Sequence, residues 1–505
     1  MSDVVLTGLA ANDPVPGDYL EVNWAQGDVA GANIARSVLL VGNRLSTGTA
    51  VVDTTVYGPD TAVQCVTEAD VTTLFGAGSE LHIMWRRASK VNQDTAIYML
   101  AVAESAGTKA SSVLTIATTA TGPGVLRVYI GEEPLEVSIA TGDTPTVQAA
   151  ALVVEVGKRP HLPVTAANVA GAVTFTHKNF GPRGNQVRYF AQIIAQASIA
   201  TTVSPSVETA LASGATADSV VNALATIAGH FYYYQAWAHA DSTASALIMT
   251  QLDAQALPLV GNRQRVFFGS VGSVSTANGE AVARNTALCE TVWSENNPWT
   301  ALELAANAAA LYAYEELPEN PRTNFAGYGS TEDTRRLWLV PAPRASADAP
   351  TRAELVSALN NGVTPIGVAS AKKTYLVKRV TTRSLTSGVN DYRIRDAHKV
   401  TICHRFADDH LARIRLAYAG FRIADDPPRG KSLPGPRVVC PSMMRGNVVA
   451  LLNIYDSRVL IQDTAQTIED LTVQRSASNR ARMEIRIPLK PIDNYEQSAT
   501  AIDQL

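Results

Sequence analysis

Short apolar runs of strand length alternate with helix-patterned segments along this chain, and the alternation breaks off once before it resumes. The run at 34–42 (IARSVLLVG) ends in Gly as a buried strand does, and 96–103 (AIYMLAVA) has the same character. Between them, 67–75 (TEADVTTLF) opens on a Thr N-cap with acids in its first turn and stops at Gly76 and Gly78. Strand, helix, strand in this order predicts an α/β unit. From 219 the pattern returns with a helix (SVVNALATIAG), a strand (FYYYQAWA), a helix over 242–256 and a strand over 265–271. An alanine-rich helix near 299–315 and a short helix over 352–360 follow.

The interruption, 111–214, is rich in Thr, Val, Ala and Gly. Its alternating runs Leu126–Ile130 and Leu135–Ile139 flank the turn sequence GEEP, and a third run lies at 172–176. The expected fold class is therefore multi-domain α/β: a central α/β domain split into 26–110 and 215–370, with a β-rich domain inserted at 111–214. An α+β domain over 371–484 follows, its charged segment 391–421 largely helical in pattern. At 505 residues, two to four domains are expected.

Both ends read as extended arms. Residues 1–25 carry Pro14, Pro16 and Gly17, then Tyr19, Glu21 and Asn23 alternating with Leu20, Val22 and Trp24. The C-terminal arm, 485–505, continues a strand over 482–489 in which Met483, Ile485, Ile487 and Leu489 alternate with Arg482, Glu484 and Arg486. A terminal strand without a local partner must satisfy its backbone in a sheet elsewhere in the chain or in a neighbour. Tyr19, Glu21, Val22, Met483, Ile485, Ile487 and Leu489 are therefore candidates for strand addition between chains; pairing inside their own domain is the alternative.

Net charge is only −4, but residues 372–490 hold 22 Lys and Arg against 11 Asp and Glu, a net of +11 on an otherwise acidic body. Without an RNP-like or helix-turn-helix signature, and with few aromatics in that stretch, docking on an acidic protein partner or on the next copy of the chain itself is a better reading than nucleic-acid binding. No run approaches the roughly 18 apolar residues of a helical membrane span. The opening MSDVVLTGLAANDPVPGDY lacks the basic and apolar regions of a secretory signal, so synthesis and assembly in the cytoplasm are expected.

Catalytic motifs are absent: there is no GxSxG, HExxH or CxxC. HRFADDH (404–410) offers two histidines and two aspartates, but on a helix His404 and His410 point about 120° apart. It reads as a solvated charged helix face. GPRGN (181–185) lacks the GK[ST] ending of a phosphate loop and reads as a hairpin turn. Phe406, His410, Ile414 and Ala417 or Tyr418 form a helical stripe closed by Phe421, with Lys399, Arg405, Arg413 and Arg415 around it. That is either an ordinary amphipathic helix on its own core or a basic docking face. Cys65, Cys289, Cys403 and Cys440 are scattered, as buried free thiols or as cysteines that pair between subunits. No cofactor or metal is expected.

Taken together, the pieces resemble the tail sheath proteins of Mu-like contractile phages over nearly the whole chain. VPGDYLEVNWA (15–25) and RSVLLVG (36–42) are similar to that family's opening, and TEADVTTLFGAGSELHIM (67–84) to its helix followed by FGxGS. LPVTA (162–166) and GPRGNQVR (181–188) fit the inserted domain, and RNTALCETVWSENNPWTALELAA (284–306) the central one. TYLVKRVTTR (374–383), RDAHKVTICHRFADDHLARIRLAYAGFRIADD (395–426) and NRARMEIRIPLKPIDNY fit the C-terminal one. The four cysteines depart from the pattern and leave a disulfide-linked variant open.

The resemblance implies a structural, non-enzymatic subunit of the virion tail, assembled in the host cytoplasm as stacked hexameric rings around a tail tube. Contraction would drive the tube through the cell envelope. Its partners would be further copies of itself, the tail tube protein, and the baseplate and tail terminator proteins, with no nucleic acid and no membrane insertion. The basic C-terminal domain would lie inside against an acidic tube, with Lys399, Arg405, Arg413 and Arg415 as the docking face. The insertion, taken as acidic, would lie outside. A sheath of a non-phage contractile injection system and a soluble α/β enzyme with an inserted β domain are the alternatives.

Overall fold

A computed structural model describes residues 36–52, 62–92, 94–195, 201–316, 321–329, 340–369, 372–391, 395–428, 431 and 435–496. The candidate arm residues Tyr19, Glu21 and Val22 lie outside the described residues.

At the centre is an eight-stranded sheet. Six parallel strands run in the spatial order Val363–Val368, Cys289–Trp293, Arg265–Ser270, Tyr234–Trp237, Val38–Asn43 and Ile97–Val102. Two short antiparallel strands, Thr374–Leu376 and Val63–Gln64, close the edges. The inner strands are buried on both faces, which is why Val38–Asn43 and Arg265–Ser270 read as largely apolar runs rather than alternating ones. Val38, Leu40, Met99 and Phe267 face helices Glu68–Phe75, Glu80–Val91 and Ala301–Glu315. On the opposite face, Leu39, Val41, Trp237 and Phe268 meet Val221–Ile227 and Ser242–Ala256, and Val274–Arg284 and Arg352–Asn360 extend that layer. Alanines let Ala301–Glu315 sit close between a helix and the sheet; at Gly269, a Cβ would meet the Ala301 carbonyl oxygen at 2.0 Å.

The Thr- and Val-rich stretch holds two four-stranded antiparallel sheets over one core that includes Leu114, Leu126, Leu135, Phe175 and Tyr189. Its helix, Pro145–Gly157, was not anticipated. PTVQAAALVVEV is dense in the β-branched residues that favour strands, yet Thr144 caps it and Pro145 starts it.

In the C-terminal region, helices Ala397–Tyr418, Pro441–Ser457 and Thr464–Asp470 and the hairpin Thr472–Arg475 with Met483–Arg486 enclose Phe406, Val448, Leu452 and Tyr455. The edge strand Thr374–Leu376 belongs to the central sheet, so that sheet runs past residue 370. The expected arm from 485 does not stand free up to 496. Ile485, Ile487 and Leu489 pack on the C-terminal core, and Pro491 bridges Ile461. No helix among the described residues is long and apolar enough to cross a membrane.

Candidate assembly site

In open parallel sheets, ligands bind beyond the carboxyl ends of the strands, where strand order reverses. Here that point is the strand Val38–Asn43, flanked by Ile97–Val102 and Tyr234–Trp237. Asn43, Glu104 and His239 lie at or just past those strand ends. The crevice is filled from within. GPRGN is not a hairpin turn but a 3-10 turn, Pro182–Gln186, entered through Gly181 at φ 98°. It drives Arg183 into the crevice, where Nε donates to Glu80 Oε1 at 2.8 Å and the guanidinium pairs with Asp218. Gly184 allows the close approach, since a Cβ would meet His177 and Ala110 within 3 Å.

Asp218 also accepts from Asn43 Nδ2 at 2.9 Å and from the Ser105 amide at 2.6 Å. Burial pushes the Asp218 carboxyl up, but His239, Arg183 and the Ser105 amide outweigh it and hold the group well below the usual carboxylate range. Burial lowers the pKa of His239, with Arg183 adding to the effect. Nearby, Asn179 donates to Glu104 at 2.6 Å and to the Arg44 carbonyl at 3.1 Å. The place where an α/β enzyme would open a site instead bolts the insertion to the central domain.

A second buried charge cluster lies under helix Ala397–Tyr418. Arg265 pairs with Glu290 at 2.6 Å, and Arg379 bridges Glu290 and Glu316. Thr401 Oγ1 donates to Glu316 at 3.1 Å, and Arg263 pairs with Asp408 at 2.8 Å. Arg36 stacks over Tyr233 at 3.6 Å, and Tyr233 Oη lies 3.0 Å from His404 Nδ1. HRFADDH is therefore not a solvated face: His404, Arg405, Phe406, Ala407 and His410 are all buried. The histidines do point to different sides, but both sides are covered. His404 meets the central sheet at Tyr233, while His410 stacks on Phe406, which meets Tyr455 edge-on.

This corrects the docking face. Arg405 is 1% exposed and faces the charge cluster, so it takes no part in an outer surface. Burial lowers its pKa. Lys399 Nζ sits 2.7 Å from Asp493 of the same chain. Arg413 is half-buried, and Arg415 is exposed next to Leu416, itself 90% exposed. Of the four basic residues, only Arg413 and Arg415 remain at the outer end of the helix.

The insertion is not acidic either: residues 111–214 hold 6 Lys and Arg and 6 Asp and Glu, so the acidic surplus belongs to the central domain and the N-terminal stretch. Cys65, Cys289 and Cys440 are buried, Cys403 is half-buried, and none is disulfide-bonded within the chain. Met483 and Ile485 pair with Arg475 and Val473 of their own chain. That hairpin is two-stranded, so each strand keeps one edge without a strand partner among the described residues. No group of three or more His, Cys, Asp or Glu among the described residues could hold a metal ion.

The buried partners of Arg183 were missed because they come from 103 and 35 residues away. The available signal was GPRGN itself, an arginine between two glycines in a stretch with few charges.

No family model matches the chain. The tail sheath protein of the Mu-like prophage FluMu from Haemophilus influenzae is 22% identical over 494 residues, 97% of this chain and 96% of that protein. This chain resembles the tail sheath proteins of Mu-like phages. The resemblance covers nearly the whole length of both chains. Among solved structures, the sheath tail protein of Desulfitobacterium hafniense overlaps 94% of this chain and 97% of its own at 15% identity and a TM-score of 0.48. The helical sheath of the anti-feeding prophage, in its contracted state, overlaps 97% and 99% at 10% identity and 0.46.

Proposed function

We propose that the chain is the subunit of a contractile phage tail sheath, stacked as hexameric rings around a tail tube and shortening to drive the tube through the host envelope. The observation that carries this reading is the similarity to a tail sheath protein over 97% of the chain. The open edges of the Thr472–Arg475/Met483–Arg486 hairpin support it physically, because an extended segment of a neighbour, such as the arm holding Tyr19, Glu21 and Val22, can add there. The baseplate and tail terminator proteins are its further partners, and assembly takes place in the host cytoplasm. The exposed end of helix Ala397–Tyr418, which carries Arg413 and Arg415, faces an acidic tube.

Contraction needs no nucleotide if the shortened array buries more surface. At about 25 cal/mol per Å² of apolar area, a few hundred Å² per subunit gives several kcal/mol, repeated over every subunit. The α/β enzyme reading loses its usual site, since the strand-end crevice is filled by Arg183, Glu80 and Asp218. Negative-stain electron microscopy of the purified chain tests the proposal: long hollow cylinders are expected, and compact monomers both alone and with the tube protein as template would refute it.

A further inference from the structure

The crevice at the carboxyl ends of the parallel strands is filled, but a cleft of about 230 Å³ opens near their amino ends. It lies where the strands Arg265–Ser270 and Cys289–Trp293 begin, beside the end of helix Ser242–Ala256 and the segment that leaves the central sheet at 383. One water needs only about 10–15 Å³ of such space, so the cleft has room for a polyatomic ion.

The charged side chains that line it are Arg263, Arg383 and Asp253, and none is saturated. Arg263 is 3% exposed and donates from Nη2 to Asp408 at 2.8 Å, while its Nε and Nη1 have no acceptor. Arg383 donates from Nη2 to Thr386 Oγ1 at 3.2 Å; its Nε is buried without an acceptor, and no carboxylate pairs with it among the described residues. Asp253 accepts a long bond from Thr286 Oγ1, at 3.4 Å, and makes no ion pair among the described residues. Nor does the helix end offer the arginines free acceptors at Ala254 and Gln255, whose carbonyls are taken by the Leu257 and Asn262 amides. Buried guanidinium N–H groups without acceptors are costly, and here they belong to two arginines that border one space.

An anion answers the arginines, but Asp253 restricts which anion. Sulfate brings only acceptors and would set its oxygens against the carboxylate. Hydrogen phosphate keeps one O–H at neutral pH, which can donate to Asp253 while the other oxygens accept from the guanidinium groups.

We infer that this cleft is a binding site for hydrogen phosphate, with Arg263 and Arg383 taking its charge and Asp253 its proton. The bound ion joins the loop before strand Arg265–Ser270 to the segment that leads into the C-terminal region, and through Arg263 it is linked to Asp408 of helix Ala397–Tyr418. The site lies within one chain and stands whether or not the chain builds a sheath.

Isothermal calorimetry of the full chain, in a buffer free of other oxyanions, tests this with inorganic phosphate as the probe. A single site per chain is expected, with a Kd below about 1 mM and sulfate bound roughly tenfold more weakly or worse. Arg383→Gln, which breaks no ion pair, is expected to weaken phosphate binding by about tenfold. Asp253→Asn is expected to bring sulfate to within about threefold of phosphate, because an amide donates to either anion. A phosphate Kd above about 10 mM, sulfate bound by the wild type as tightly as phosphate, or unchanged phosphate binding by Arg383→Gln would each overturn the inference. Should Arg383→Gln disturb folding, Asp253→Asn carries the test through the ratio of the two affinities, and a ratio equal to that of the wild type overturns the inference as well.

Discussion

Arg183 Nε donates to Glu80 Oε1 at 2.8 Å, with the glutamate side chain wholly out of water and the arginine nearly so. The pair joins the insertion to the helix Glu80–Val91 of the central domain. Breaking one partner of such a pair leaves an uncompensated buried charge, at a cost of about 3–5 kcal/mol. Arg183→Met is expected to lower stability by that amount in denaturant unfolding. Replacing Arg183, Glu80 and Asp218 together by apolar residues of similar size is expected to recover much of the loss. A single substitution costing under about 1 kcal/mol would contradict the bolt.

Gly269 faces the start of helix Ala301–Glu315. The clashing atom is a backbone carbonyl oxygen, which cannot swing aside as a side chain can. Gly269→Ala is expected to cost about 2 kcal/mol or more, in the range of overpacked cores. Gly279→Ala, where a Cβ meets nothing within 4 Å in the middle of a helix, is expected to be neutral or stabilising by up to about 1 kcal/mol. Thermal unfolding of the two variants side by side reads the contrast.

Two buried histidines make stability fall in mild acid. Burial, helped at His410 by Arg413, lowers the pKa of His398 and His410 to about 4 from an ordinary 6.5. The unfolded chain takes up these protons near 6.5 and the folded chain only near 4. The stabilisation is therefore full above about 6.5 and is lost as pH falls through that window, by up to about 3 kcal/mol for each ring. His410→Gln is expected to flatten the dependence of unfolding free energy on pH between 6.5 and 4; an unchanged slope would contradict it.

Burial pushes the Cys65 thiol up to about 11 and the Cys289 thiol up to about 12. Titration of the native chain with an aromatic disulfide reagent is expected to find Cys403 as the fastest thiol, with the full four appearing on unfolding. Cys403→Ser is expected to remove the fast phase. Disulfide-linked dimers through Cys65 or Cys289 on a non-reducing gel would contradict their placement.

On the sheath reading, reversing Arg413 and Arg415 to Glu is expected to weaken binding to the tail tube at least tenfold and to steepen its loss with salt. Polymerisation of the chain on itself is expected to continue. Unaltered tube binding in a co-sedimentation assay would remove the tube from that helix end.

The strands and helices were legible because their signals are local. Thr67 and Thr351 cap helices through capping boxes that span three residues, and Val38–Asn43 and Arg265–Ser270 carry consecutive apolar residues in their middles because both faces are covered. What escaped depends on distance in sequence. Nothing near Arg183 announces Glu80, and nothing in HRFADDH tells that a sheet covers one side of the helix and a second core the other. A helix face is read as solvated when its charges are counted without their partners, and Asp408 meets Arg263 only in the fold. Pro145–Gly157 was lost to a different cause, its β-branched residues outweighing a Thr-Pro start.

The most direct measurement is a helical reconstruction by electron cryomicroscopy of the cylinders this chain forms. The account predicts six subunits per ring, with the hairpin Thr472–Arg475/Met483–Arg486 extended by strands from neighbouring chains. Subunits that touch only through side chains, with that hairpin still two-stranded in the array, would contradict it.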